Sequence, residues 1–351
     1  MVVAGGSGTV MLLYRYHLTE QRNLFLGGDI AWLGYSERQV AEMGPGLIGK
    51  LLHDDDLLRC LEHHNLCRSL RLGQKQEIWY RMWSRSQRLL FCRSVDKCIS
   101  IDSTGHCDII EGQCYEMSRE QYDGRKIVER AIARDAFTLH YQPIVDLATG
   151  EIVGHEALSR IEFDGAIVSP ARFLPYLIGS DLEWSWVANQ IELACSHLPR
   201  LDGFVSLNLS ANMLNRKDLQ TIFSCDGVGR LWFEVVEDAI GEAQQIKNLH
   251  LIRRLGHNLE ADDVPTRSSL ALILKAAKLF SAMKLDIEVC HLVADDALRA
   301  GIARSIISAA RERGLMVICE GVQRPQDAEL LLHMGATHGQ GYRWGKPAAL
   351  L

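Results

Sequence analysis

The chain has 351 residues, 47% of them hydrophobic and 23% charged. That is ordinary globular composition with enough apolar material for a sizeable core, which excludes a largely disordered chain. With 38 basic against 44 acidic residues the formal net charge is −6, so the chain lacks the global field that grips a nucleic-acid polymer.

The length fits a barrel of ~250 residues plus a module of ~100. No apolar run reaches the ~18 residues of a membrane span, so no membrane insertion is expected. The opening Met1-Val-Val-Ala-Gly-Gly6 has no basic residue before Arg15 and does not read as a secretory signal. A cytoplasmic protein with reduced cysteines is expected. Cys107 and Cys114 read as buried thiols rather than a metal or redox pair.

Before residue 118 the apolar stretches are short, and six of the ten cysteines lie there. Ser36 suits the N-cap of a helix through Met43. His53-Asp-Asp-Asp56 opens a second helix whose Leu57, Leu58 and Leu61 share a face. Strand-like runs follow at 77–83, 89–95 and 109–115. This order resembles a PAS domain over residues 10–117, carried by Gly34-Tyr-Ser36, His53-Asp-Asp-Asp56 and Tyr80-Arg-Met82. The resemblance implies a small α+β sensor domain whose ligand is unknown. His53, His63 and His64 read as surface or capping residues rather than haem ligands. Residues 118–135 have charged, helical spacing and predict a linking helix, with a homodimer expected.

From residue 136 to 351 strand-like and helix-like runs alternate. Strands are predicted at 137–141, 152–156, 204–208, 231–234, 258–262, 282–286, 315–320 and 337–340. About eight such units in ~215 residues argue for a parallel sheet closed into a barrel, an α/β fold of the TIM type. Most of these strands end in a polar group: Glu156, Asn208, Glu234, Asp262 with Asp263, Lys284, Glu320 and Gln340. In a parallel barrel such ends converge on one mouth. Clustered carboxylates need a counter-charge. Oxygen donors from Glu, Asn and Asp suit Mg2+ or Mn2+, and the absence of Cys and His from these positions argues against zinc.

Glu156-Ala-Leu158 followed by Ser159-Arg160 resembles the signature of EAL domains, the cyclic di-GMP phosphodiesterases. Tyr141-Gln-Pro-Ile-Val-Asp-Leu147, Leu207-Asn-Leu-Ser210, Glu234-Val-Val-Glu237, Asp262-Asp263, Lys284-Leu-Asp286, Glu320-Gly-Val322 and Gln340-Gly-Tyr342 follow in family order. The resemblance implies a modified barrel with one antiparallel strand. It assigns metal ligation to Glu156, Asn208, Glu234, Asp262 and Asp263, and a general-base or metal-linked role to Glu320. Lys284 and Gln340 fall near the attacking water, Arg160 on a substrate phosphate and Gln142 beside the substrate, while Glu237 supports the loop after Asp263. The implied chemistry is two-metal hydrolysis of cyclic di-GMP to the linear dinucleotide pGpG. The alternative is an inactive effector that binds cyclic di-GMP or a protein partner.

The family's Asp-Asp-Phe-Gly-Thr-Gly-Tyr-Ser-Ser-Leu is here Asp262-Asp-Val-Pro-Thr-Arg-Ser-Ser-Leu270, one residue shorter. Val264, Pro265 and Arg267 replace Phe, Gly and Gly, so this loop cannot keep the family geometry. Leu177-Ile178 stand in place of Ala-Glu, and Gln323 in place of Glu.

Overall fold

The computed structural model describes residues 9–36, 38–39, 42, 47–223, 229–236, 240–262 and 267–350. The chain divides into two compact units. The first runs to Glu129 and includes Phe173–Asp181; the second holds Arg130–Arg172 and Leu182–Leu351.

The first unit is built on an antiparallel sheet of β1 (Val10–His17), β2 (Arg22–Gly28), β3 (Lys75–Trp83), β4 (Leu89–Ile101) and β5 (Cys107–Met117), in the order β2-β1-β5-β4-β3. Helix α1 (Leu57–Arg68) packs near one face of it. Leu12, Ile78, Met82, Leu90 and Cys92 fill one core cluster; Leu18, Cys67, Cys98, Cys107 and Ile110 fill another. The predicted strands are present and longer than expected. The helix predicted from Ser36 to Met43 lies partly outside the described residues.

One expectation for this unit, a surface or capping place for His63, is corrected by the way α1 is turned. The leucine face of α1 is exposed, with Leu57, Leu58 and Leu61 at 39%, 68% and 49%. The buried face is Cys60, His63 and Cys67, spaced three and four apart. Its polar members find partners inside, which leaves the leucines outward. His53 does cap, accepting from the Asp55 amide, but His63 is buried and faces Asp96 at 2.7 Å.

Helix α2 (Arg119–Ala133) forms within the segment 118–135 that the sequence predicts as helical. Within the first unit its Arg125 donates to Asp181 at 2.7 Å. A Cβ on Gly124 would lie 2.1 Å from the Tyr176 ring, so glycine permits that approach. Leu177, one of the sequence departures, is fully buried in the same segment.

The second unit is a closed eight-stranded barrel. Its strands are β6 (Phe137–Asp146), β7 (Ile152–Phe163), β9 (Phe204–Leu209), β10 (Leu231–Val236), β11 (Asn258–Asp262), β12 (Ala282–Leu285), β13 (Met316–Cys319) and β14 (His338–Gln340), with β8 (Ala166–Val168) and β15 (Ala348–Ala349) as short additions. Neighbours from β7 through β14 run parallel. Strand β6 is antiparallel to both β7 and β14 and closes the ring. All eight predicted barrel strands are found. No helix among the described residues is long and apolar enough to cross a membrane.

Strand alternation sorts the barrel interior into levels. The floor is apolar: Ile144, Phe204, Trp232, Ala282 and Ile318 pack together. Phe204 stacks on Trp232 with ring centroids 4.0 Å apart. Gly154 makes room for them, since a Cβ there would come within 2.6 Å of the Phe204 ring. Two residues further along each parallel strand, the same face carries Glu156, Ser206, Glu234, Lys284 and Glu320.

Candidate active site

Register places these groups side by side. Glu156 pairs with Ser206, and Glu234 pairs with Asn208 on one neighbour and Glu260 on the other. The apolar floor beneath and the helices outside exclude water, so Glu234, Lys284 and Gln340 are 1%, 1% and 3% exposed.

Lys284 is the hub. Its Nζ lies 2.7 Å from Glu320 Oε1, 2.9 Å from Glu234 Oε2, 3.5 Å from Glu156 Oε2 and 3.6 Å from Asp262 Oδ1. Glu156 also accepts from Asn208 Nδ2 at 3.1 Å and from Gln340 Nε2. Gln340 donates to Gln142 Oε1 at 3.2 Å, and Gln142 donates to the Gly345 carbonyl. The structure thus brings Glu156, Asn208, Glu234, Asp262, Lys284, Glu320, Gln340 and Gln142 together. Arg160 lies four residues beyond Glu156 on β7 and donates to the Ser159 carbonyl at 2.8 Å. No carboxylate among the described residues pairs with it. Asp263, Glu237, Val264 and Pro265 lie outside the described residues; Arg267 begins helix α3 (Arg267–Lys275).

Two groups were not anticipated. Glu260, two residues before Asp262 on the same face of β11, is fully buried, and among the described residues neither carboxylate oxygen has a hydrogen-bond partner. Ser206, also fully buried, donates to Glu234 Oε1 at 2.5 Å. The period of two along each strand carried the signal for both: Glu260 precedes Asp262 as Ser206 precedes Asn208.

The electrostatics follow from five carboxylates around one ammonium. Burial, then repulsion from Glu156, pushes Glu234 well above the usual range. Burial raises Glu260 to about 8 and Glu320 to about 7. Burial opposes charge on Glu156 too, but Lys284 and the Gln340 and Asn208 amides outweigh it and hold its carboxyl low. Burial also disfavours the Lys284 ammonium, and the surrounding carboxylates outweigh that.

The donor set fits hard divalent cations. Among the described residues, both oxygens of Glu260, Gln340 Oε1 and Asp262 Oδ1 are buried acceptors without hydrogen-bond donors, Asp262 Oδ1 having only the Lys284 ammonium at 3.6 Å. Such groups are costly unless a cation meets them. Glu156, Asn208, Glu234 and Asp262 supply oxygen from adjacent strands at the C-terminal mouth, where barrel enzymes do chemistry.

Residues 125–347 match the EAL domain. Over 238 residues the chain is 30% identical to the cyclic di-GMP phosphodiesterase NbdA of Pseudomonas aeruginosa, covering 64% of this chain and 30% of the relative. Over 271 residues it is 26% identical to the bifunctional diguanylate cyclase/cyclic di-GMP phosphodiesterase MucR of the same organism, covering 69% and 37%. The chain therefore spans about a third of the length of these curated relatives. Among solved structures, it is similar to the MucR phosphodiesterase in complex with c-di-GMP, with a TM-score of 0.58, 26% identity and coverage of 65% and 98%. It is also similar to an EAL domain protein from Listeria monocytogenes, with a TM-score of 0.56, 26% identity and coverage of 64% and 93%.

Proposed function

The chain belongs to the EAL-domain family, and from that premise we propose that it is a cyclic di-GMP phosphodiesterase opening the ring to linear pGpG. The observation that carries this reading is the Lys284 hub: four carboxylates lie within 4 Å of one ammonium, and a fifth, Glu260, is buried beside them with neither oxygen meeting a donor among the described residues. Glu156, Asn208, Glu234 and Asp262, with Asp263, would hold two Mg2+ or Mn2+ ions. Such ions, when bound, lower the pKa of a water and offset charge developing on a phosphodiester.

The protein's own groups divide the remaining work. Arg160, with no carboxylate partner among the described residues, is available for a substrate phosphate oxygen, for which a guanidinium is well shaped. Lys284 anchors Glu320 and Glu234 and supplies positive charge beside the reacting phosphorus. Glu320, raised to about 7 by burial, is suited to accept a proton near neutral pH. Gln340 fixes Glu156 and Gln142 in place. The N-terminal unit would act as a PAS-like sensor, with cyclic di-GMP as the ligand of the barrel and a homodimer as the working form.

Incubating the purified protein with cyclic di-GMP and Mn2+ or Mg2+, then separating products by chromatography, tests the proposal. Linear pGpG that vanishes with chelator supports it. A second reading rests on the shortened Asp263–Arg267 loop: an effector that binds cyclic di-GMP and leaves it intact.

A further inference from the structure

A second group of metal-ligating side chains lies in the N-terminal unit, apart from the barrel ligands. Helix α1 carries His63 and Cys67 four residues apart, so both project from one face. Strand β4 brings Asp96 to them. His63 Nε2 lies 2.7 Å from Asp96 Oδ2 and 3.4 Å from Cys67 Sγ. One ligand atom from each of the three residues falls within 4.8 Å of the others. All three are buried, at 5%, 0% and 1% exposure.

The surroundings are built around this cluster. Tyr14 donates to the other oxygen of Asp96 at 2.6 Å, which fixes the carboxylate and leaves Oδ2 turned to His63 and Cys67. Strand β5 places Gly112 against the pair. A Cβ there would come within 2.1 Å of the Tyr14 ring and 2.3 Å of Asp96 Oδ1, so a side chain is left out where the two groups meet. A carboxylate held at one oxygen by a second residue while its other oxygen meets His and faces Cys is the arrangement that orients metal ligands.

A buried carboxylate needs positive charge. A protonated His63 would provide it but would leave the Cys67 thiol idle. A divalent cation would provide it and use all three donors. We propose that His63, Cys67 and Asp96 bind a thiophilic divalent transition metal, with Zn2+ as the best fit. The site is distinct from the oxygen-donor site of the barrel. One nitrogen, one sulfur and one oxygen suit zinc better than Mg2+ or Mn2+, and three protein ligands leave one tetrahedral position for water or a small ligand. On binding, Cys67 releases its proton to solvent, and the contact between His63 and Asp96 gives way to metal bonds.

The test uses the full chain, stripped with chelator and then held in excess Mg2+ to occupy the barrel. Co2+ is titrated as the probe. The expected result is a sulfur-to-cobalt charge-transfer absorption that saturates, is displaced by Zn2+, is lost in Cys67→Ala and persists in Glu156→Ala. Tyr14→Phe should weaken Co2+ binding about tenfold, as removal of a ligand-orienting hydrogen bond does. X-ray absorption at the zinc edge of the wild-type protein gives an answer that needs no variant: one sulfur at about 2.3 Å with lighter donors. Absence of the charge-transfer band, its survival in folded Cys67→Ala, or a zinc edge without sulfur overturns the proposal.

Discussion

Lys284 Nζ lies 2.9 Å from Glu234 Oε2, and both side chains are cut off from solvent. Neither charge would be tolerable there alone. The pair sits on β12 and β10 with Glu260 on the strand between, so the excess negative charge has one internal cation to share.

Lys284→Met removes that cation while roughly keeping the volume. The metal-free variant should lose about 3–5 kcal/mol of stability, the usual cost of breaking a buried ion pair. Mn2+ should restore more stability to the variant than it adds to the wild type, because it replaces the missing charge. Thermal unfolding in chelator and in Mn2+ reads both effects. Coincident melting curves in chelator would remove Lys284 from its place as hub.

Glu156→Ala and Asp262→Ala each delete a proposed metal ligand on a different strand. Turnover should fall at least about a hundredfold in each, since both the activated water and the charge stabilisation depend on bound metal. Chromatographic assay of pGpG, with circular dichroism to confirm folding, is the check. Undiminished turnover in folded Glu156→Ala would falsify the assignment.

The strand ends were legible because an apolar run closing on a carboxylate or amide marks a barrel mouth whatever the loops do. Glu260 and Ser206 escaped because they sit inside the runs rather than at their ends. Their burial becomes evident only when register sets Glu260 beside Glu234 and Ser206 beside Glu156, from where Ser206 donates to Glu234. The buried face of helix α1 was hidden in the sequence for a related reason. Leucine spacing pointed to one face, but the pairing of His63 with Asp96 and the burial of Cys60 and Cys67 turned the other face inward.

Arg160→Ala should raise KM for cyclic di-GMP more than it lowers kcat, provided its guanidinium binds the substrate phosphate alike in ground and transition states. Loss of a charge-assisted hydrogen bond costs about 1.5–3 kcal/mol, or roughly a tenfold to hundredfold change. If the protein is an effector, the same change appears in the dissociation constant measured by calorimetry. Unaltered KM and Kd would place the phosphate elsewhere.

Glu260→Gln keeps the side-chain volume and removes a buried carboxyl that burial raises to about 8 and that meets no hydrogen-bond partner among the described residues. The metal-free protein should melt higher at neutral pH, because folding must protonate a carboxyl that is ionised in the unfolded chain, a cost that grows as pH rises toward about 8. Mn2+ affinity should fall by about tenfold, since one neighbouring anion is gone. Calorimetric titration and melting must move in these opposite directions. Equal Mn2+ affinity in variant and wild type would separate Glu260 from the metal site.

Asp263-Val-Pro-Thr-Arg-Ser268 lacks both family glycines and is one residue short. Pro265 fixes φ and removes an amide donor, while Arg267 adds bulk and charge where glycine is usual. The oxygen donors Glu156, Asn208, Glu234 and Asp262 are in place on β7, β9, β10 and β11. The loop, rather than a missing ligand, should therefore limit the rate. Replacing residues 264–267 with Phe-Gly-Thr-Gly-Tyr restores length and both glycines. Turnover should rise at least about tenfold, equivalent to ~1.4 kcal/mol of barrier. Mn2+ affinity should change less than turnover, because most of the ligands lie on strands that the graft leaves alone. A grafted protein that folds and binds Mn2+ but turns over no faster would move the limitation to Leu177-Ile178 or Gln323, the remaining departures from the family pattern.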